Sequence, residues 1–457
     1  MNSYSKKIAL VTLLIGVVFA SCGTPEKKSE APRLSTVEHP EWSKNANIYE
    51  VNIRQYSPEG TFNAFREDLP RLKEMGVKIL WLMPVQPIGE LNRKGTLGSY
   101  YSIKDYEGIN PEFGTKEDFK ALVDEAHEMG FKVILDWVAN HSAWDNPWTA
   151  NKDWYTLDED GNFQPPVADW SDVIDLNYEN EDMRAAMLDA LVYWVDEFGI
   201  DGYRCDVAGM VPVDFWITAH EELDKIKDVF MLAEDGEPEL LFEAFDMNYA
   251  WEYAHVIREI AKGEQSFADL DSLFERDAKR FPKNSYRMYF TSNHDENSWN
   301  GTDPGMYGDN FENFAVLSAT VQGMPLIYNG QESVLDKQLE FFEKDEIPWK
   351  SYSYQNFYTL LLDLNTSNQA LWNGAYGGDF KRISSPEETY AFSRKKGTDE
   401  VIVAINNSDE PKQISVPLWS SSTYAKYGVT EGEINAENGN TYDFELPPHR
   451  WFILATK

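Results

Sequence analysis

Four acidic residues stand directly behind short, mostly apolar runs. Asp136 follows Val133-Ile134-Leu135, Asp206 follows Tyr203-Arg204-Cys205, Glu234 follows Met231-Leu232-Ala233 and Asp295 follows Ser292-Asn293-His294. Each alone reads as a solvated loop residue or a helix N-cap. Gathered at one place, their charges would repel and weaken the fold unless something used them. Carboxyl groups held together can attack carbon and can give and take protons. Arg204 lies two residues before Asp206, so both project to the same side of a strand. A guanidinium there would keep the aspartate ionised and oriented. His141 and His294 are two of seven histidines, and each follows a strand-like run. The two cysteines, Cys22 and Cys205, allow neither a disulfide framework nor a Cys-x-x-Cys zinc site. Cys205 reads as a small core residue.

These residues need elements to hold them. Strand-like runs are expected over 47–57, 77–85, 131–138, 200–208, 230–233, 246–251, 288–292 and 324–329. Helical runs are expected over 62–75, 116–129 and 182–198. Pro70 inside the first helical run implies a kink or a later start. Near-continuous apolar strands alternating with helices point to a parallel sheet buried on both faces. About eight such strands over ~330 residues suit a closed (β/α)8 barrel, in which residues past the strand C-termini meet on one face. An open doubly wound sheet is the runner-up, but no Gly-x-Gly-x-x-Gly follows the first strand. The stretch at about 142–178 reads as a short inserted loop domain after the third strand. After Trp372 the texture changes to short alternating strands, as in 389–394 and 400–406, which implies an antiparallel β-sandwich domain. The barrel is therefore assigned to 41–371 and the C-terminal β domain to 372–457.

The motifs resemble glycoside hydrolase family 13, the α-amylase family, from about Asn47 to the C-terminus. Asp136-Trp-Val-Ala-Asn140-His141 matches Asp-x-x-x-Asn-His, and Gly202-Tyr-Arg-Cys-Asp206 matches Gly-aromatic-Arg-x-Asp. Ala233-Glu234 and Asn293-His294-Asp295 follow in order. Ile174-Asp175-Leu176-Asn177 resembles a signature of the inserted domain, and 323–332 resembles the last barrel strand. The resemblance implies a retaining hydrolase of α-linked glucans or malto-oligosaccharides. Asp206 would be the nucleophile, Glu234 the acid/base and Asp295 the third carboxylate, which grips sugar hydroxyls. Arg204, Asp136, His141 and His294 would hold the same sugar ring. Tyr101, four residues before Asp105, would stack on that ring, with Tyr100 as the competing candidate. Asn140 and Asp175 resemble positions that bind calcium in relatives, an ion that takes oxygen ligands. Alternatively, Asn140 supports the site by hydrogen bonds alone. No other cofactor is implied. Many endo-acting relatives carry Lys-His shortly after the nucleophile; here Val207-Ala208-Gly209-Met210 stands instead. A transglycosylase or isomerase of the trehalose-forming type is a second reading. A non-catalytic glycan-binding lipoprotein is a third, opposed by the full set of carboxylates.

Composition bounds the partners. Lys plus Arg is 41 against 77 Asp plus Glu, a formal charge of −36, which repels phosphate backbones and argues against nucleic acid. Aromatic residues make up 14%, including 15 tryptophans, enough for a core and for stacking on sugars. Trp144, Trp148, Trp154 and Trp170 crowd the insertion, as candidates for outer sugar subsites or for packing. At the N-terminus, Lys6-Lys7 precede an apolar run and small residues, the pattern of a signal peptide over 1–21. Phe19-Ala-Ser-Cys22 resembles a bacterial lipobox, which implies an acylated Cys22 at the head of a flexible tether over 22–40. The expectation is an exported protein, lipid-anchored to a bacterial membrane and facing the periplasm or the cell exterior.

Overall fold

Eight parallel strands close into a barrel in the computed structural model, which describes residues 33–457. The lipobox and most of the tether lie outside the described residues. The barrel strands are β1 (Ile48–Val51), β2 (Ile79–Leu82), β3 (Lys132–Trp137), β6 (Gly202–Cys205), β7 (Phe230–Ala233), β8 (Met247–Tyr249), β9 (Tyr286–Tyr289) and β10 (Met324–Tyr328). They pair in the cyclic order β1-β2-β3-β6-β7-β8-β9-β10. Between β3 and β6, β4 (His141–Ala143) and β5 (Val173–Asp175) form a small antiparallel ribbon. It carries the insertion.

Most of the strands are shorter than their sequence patterns, β7 being as expected. The expected strand at 47–57 ends at Val51, because Asn52 caps a helical turn over Ile53–Tyr56 by accepting from the Gln55 N–H. The expected strand at 288–292 is instead Tyr286–Tyr289. The helical run at 62–75 divides into Phe62–Arg66 and Leu69–Met75. Pro70 falls in the first turn of the second helix, where its missing N–H costs nothing. The helix Glu181–Tyr193 passes into a π-helical turn over Trp194–Phe198.

Alternate strand residues fill two cores. Ile48, Ile79, Trp81, Ile134, Leu232, Met247, Met288 and Leu326 pack inside the barrel, while Leu80, Val133, Leu135 and Met231 face the surrounding helices. Interior layers of this kind make the barrel solid up to its C-terminal rim, where polar side chains take over. Gly202 opens β6 at a φ of 145°, and a Cβ there would lie 1.9 Å from the Phe230 carbonyl oxygen. Only glycine fits that approach.

Beyond the helix Gln355–Ser367, the C-terminal strands are β11 (Asp379–Ile383), β12 (Thr389–Lys396), β13 (Asp399–Asn406), β14 (Lys412–Pro417), β15 (Ser422–Gly428), β16 (Gly432–Ala436), β17 (Thr441–Leu446) and β18 (Arg450–Thr456). A six-stranded sheet, β11-β12-β13-β18-β15-β16, faces the β14–β17 pair across a shared apolar core that includes Ile402, Ile414, Val416, Leu446 and Phe452. Arg394 ties this domain to the barrel. It is buried and donates to the carbonyls of Val321 (2.7 Å), Gly378 (3.2 Å) and Trp372 (3.1 Å).

Candidate active site

A cavity of about 380 Å³ opens at the C-terminal end of the barrel. Its lining includes Tyr101, His141, Trp170, Asp206, Glu234, His294, Asp295, Trp299 and Phe341. Asp136 lies beneath this layer, fully buried.

Arg204 organises the floor. Its Nη1 donates to Asp136 Oδ1 at 2.8 Å and to Asp206 Oδ1 at 3.1 Å, and its Nε donates to the Tyr249 hydroxyl at 3.0 Å. Its Nη2 lies 3.0 Å from Glu234 Oε2, without the alignment of a hydrogen bond. The guanidinium is wholly buried among the Trp81, Tyr101 and Tyr249 rings. Removed from water and facing three carboxyls, it stays charged and draws them together.

Burial pushes both Asp206 and Glu234 up from the ordinary carboxyl range. For Asp206 the Glu234 charge adds to this, and Arg204 opposes it. For Glu234 the Arg204 charge opposes burial, and the Asp295 charge reinforces it. Two buried carboxyls that repel each other across one guanidinium favour holding a proton between them. Asp206 has the aligned guanidinium bond, the better partner for an anion. Glu234 Oε2 instead accepts from the Val207 N–H at 2.7 Å. We therefore place the proton on Glu234, at the oxygen that Val207 leaves free. Val207 presents its N–H from a left-handed conformation (φ 37°, ψ 46°). Few β-branched residues adopt it, and the strain sits next to the reacting groups.

The two histidines are held in opposite states. Burial lowers His141 to about 3, so its ring is neutral. The Asn140 amide lies 3.3 Å from Nδ1, and Nε2 lies 3.9 Å from Asp206 Oδ2. A bond from the ring to the Tyr101 backbone works against this burial without overcoming it. His294 is also buried, which by itself would lower it, but Asp295 and then Glu50 raise it to about 9. Its Nε2 lies 2.7 Å from the Tyr101 hydroxyl and 3.4 Å from Asp295 Oδ2.

Of the residues expected to be catalytic or substrate-holding, Asp206, Glu234, Asp295, His141, His294 and Tyr101 line the cavity, while Arg204 and Asp136 lie buried beneath it. Tyr101 is in the cavity wall and donates to Asp136 Oδ2 at 3.0 Å. Tyr100 packs under Arg54, 4.2 Å from the ring centre, and is not among the lining residues. Of the four insertion tryptophans only Trp170 lines the cavity. Trp148 and Trp154 pack on each other, and Trp144 donates to the Ser171 carbonyl. Three participants have no motif to announce them: Glu50, Trp81 and Tyr249. Each comes from the middle or end of a short buried strand. A charge within the apolar run Ile48-Tyr49-Glu50-Val51 marks Glu50 as unusual, but its partner is set by barrel closure.

Asn140 and Asp175, the two residues that resemble calcium-binding positions, sit on either side of the β4–β5 ribbon. The Asn140 amide is turned to His141, Asp175 is only half-buried, and among the described residues no three His, Cys, Asp or Glu side chains converge on a metal position. Calcium takes six to eight oxygens, about as many as several carboxylates and carbonyls supply.

Comparisons with known proteins agree with this fold. The sequence profile of the alpha amylase catalytic domain matches residues 38–171 and 167–350, and that of the alpha-amylase C-terminal domain matches 378–450. A crystal structure of an alpha-amylase from Lactobacillus plantarum superposes with a TM-score of 0.81 at 32% identity, covering 91% of this chain and 100% of that one. A noncanonic maltogenic alpha-amylase, AmyB from Thermotoga neapolitana, superposes with a TM-score of 0.81 at 31% identity, over 91% and 99% of the two chains. Alpha-amylase MalA of Haloarcula japonica is 28% identical over 417 residues, which are 86% of this chain but 60% of that longer protein.

Proposed function

Because the chain belongs to the α-amylase family of glycoside hydrolases, we propose that it cleaves α-glucosidic bonds in α-glucans or malto-oligosaccharides with retention at the anomeric carbon. An Asp206 oxygen bonds to that carbon as the glycosidic bond breaks, and Glu234 gives its proton to the departing oxygen. Glu234 then takes a proton from water, which attacks the same carbon and releases Asp206. Asp295 grips hydroxyls of the ring, and the growing positive charge on it is met by the surrounding carboxylates. His141, His294 and Tyr101 orient the ring.

One observation carries the reading: a single guanidinium touches Asp136, Asp206 and Glu234. Carboxyls drawn to one cation stand close together, as retention needs (about 5–5.5 Å), rather than apart by the water required for inversion. The same covalent intermediate handed to a sugar hydroxyl would give transglycosylation, the second reading. Incubation with maltoheptaose, followed by proton NMR and chromatography, tests both. Shorter malto-oligosaccharides released first as the α-anomer are expected. First-formed β-anomer would overturn the mechanism, and dominant transfer or trehalose-type products would favour the second reading. Asp206→Asn is expected to lower kcat by about a thousandfold or more with unchanged circular dichroism.

We also propose that the protein is exported and anchored through an acylated Cys22, with the barrel facing the periplasm or the cell exterior. The signal-like run and the lipobox-like Phe19-Ala-Ser-Cys22 support this. Several acyl chains hold a protein stably where one does not. Cys22→Ala is expected to move the activity from the membrane pellet to the soluble fraction. An unchanged distribution would reject the anchor.

A further inference from the structure

A carboxylate outside the reacting set lies at the heart of the barrel. Glu50, the third residue of β1, is fully buried, level in register with Trp81 of β2 and Tyr328 of β10. One of its oxygens is 2.5 Å from His294 Nδ1, and the other has no hydrogen-bond partner. A buried carboxyl with half its capacity unused is costly. A strand facing an apolar barrel would lose it unless the charge served the neighbouring ring.

The bonds then run in one direction. His294 donates from Nδ1 to Glu50, so a doubly protonated ring must also donate from Nε2, to the Tyr101 hydroxyl at 2.7 Å. Tyr101, having accepted, donates its own proton to Asp136 Oδ2 at 3.0 Å. Asp136 accepts from Arg204, which also donates to Asp206. A neutral His294 protonated at Nδ1 would reverse the middle of this chain: its Nε2 would accept from Tyr101, and Asp136 would lose a donor.

We propose that Glu50 is a positioning residue: its carboxylate fixes His294 as a cation and so sets the direction of the hydrogen bonds that run through Tyr101 and Asp136 to Arg204 and Asp206. The charged and titratable groups facing His294 are Glu50 on β1, Asp136 on β3, Arg204 on β6, Glu234 just after β7, Asp295 on its own segment and Tyr101 from the loop after β2. Of these, Asp295, Glu50 and Asp136 favour the cation, as Glu234 does when ionised, and Arg204 opposes it. Glu50 lies on the opposite side of the ring from Asp295 and is the only one of the carboxylates that bonds it directly. The raised value of His294, about 9, accords with this arrangement.

The catalytic consequence rests on the retaining reading above; the charge of His294 does not. The test therefore has two arms on the full chain, Glu50→Gln and Glu50→Asp. Glutamine keeps size and an accepting oxygen but removes the charge; aspartate keeps the charge. With 15N-labelled histidine and no substrate, the wild-type His294 ring is expected to stay doubly protonated beyond pH 8. In Glu50→Gln its midpoint is expected to fall by at least about one pH unit. The alkaline limb of kcat/KM should move with it, so that the ratio of kcat/KM at pH 8.5 to that at pH 6 drops about threefold or more. In Glu50→Asp the limb should stay near its wild-type position, whatever the absolute rate. A wild-type His294 already neutral at pH 7.5, or an unmoved midpoint in Glu50→Gln, overturns the proposal. Should Glu50→Gln not fold, the wild-type titration and the Glu50→Asp profile decide it. Absence of α-glucan turnover by the wild type would count against the hydrolase reading and leave the titration result standing.

Discussion

Arg204 does what no carboxylate in the site can do for itself. With Glu234 protonated, Glu50, Asp136, Asp206 and Asp295 would still crowd anionic charge around one small volume, against Arg204 and a cationic His294. Burial raises the cost of each uncompensated charge, so the site persists only because its cations are buried with its anions. The same logic separates what could be read from the sequence from what could not. Asp206, Glu234, Asp295, Arg204 and His141 were legible because each follows a strand-like run inside a recognisable motif. Glu50, Trp81 and Tyr249 were not singled out, since their contacts depend on which strands lie opposite one another across the barrel. That ordering follows from closure and not from local pattern. The strained Val207 was invisible for a related reason: its conformation answers to Glu234, 27 positions away in the chain.

At the level of elements, the strand-and-helix alternation was legible and its limits were not. Apolar runs overstate a strand because residues just beyond its hydrogen-bonded part are also buried at the rim, as Phe290 and Val138 are. The loop after β2 was read only for a stacking tyrosine, Tyr101 or Tyr100, yet it also walls the cleft. Its Lys94 donates to the Asp169 carbonyl at 2.7 Å and pairs with Asp172 at 3.1 Å, while the Leu97 N–H donates to the Phe342 carbonyl at 3.1 Å. It thus joins the insertion to the segment after β10. Beside it, the π-helical turn Glu296–Asn300 raises Trp299 to the cleft mouth, 58% exposed and 5.5 Å from the Phe341 ring centre. Such an exposed indole beside a sugar cleft offers a flat apolar face to a ring outside the reacting one. Trp299→Ala is expected to lower the ratio of kcat/KM for maltoheptaose to that for maltotriose by about five- to tenfold, the equivalent of one aromatic contact of about 1–1.5 kcal/mol. An equal loss on both substrates would place the indole outside substrate binding.

At the scale of the whole molecule, a net charge of −36 means that cations are scarce and their placement matters. One buried carboxylate collects three basic side chains. Asp201, between the helices and the N-terminal end of β6, has no exposed side-chain surface. It receives Lys132 at 3.0 Å, Lys227 at 2.9 Å, His127 at 2.6 Å and the Val133 N–H at 2.9 Å. Burial works against the anion, but the bond and charge of His127, followed by Lys227 and Val133, hold the carboxyl well below its ordinary range. A carboxyl depressed in the folded state contributes stability that is complete above its unfolded value, near 4, and that fades as pH falls below it toward the folded value. Asp201→Asn keeps the shape but faces an amide to two ammonium groups and an imidazole, a change expected to cost about 3 kcal/mol at pH 7. Thermal melts of both proteins between pH 7 and pH 3 check the sign as well as the size. The wild type should melt several degrees higher at neutral pH, and the gap should narrow below about pH 4 as the wild type loses what the variant never had. A gap that stays constant across that range would show that Asp201 acts through packing and not through its charge.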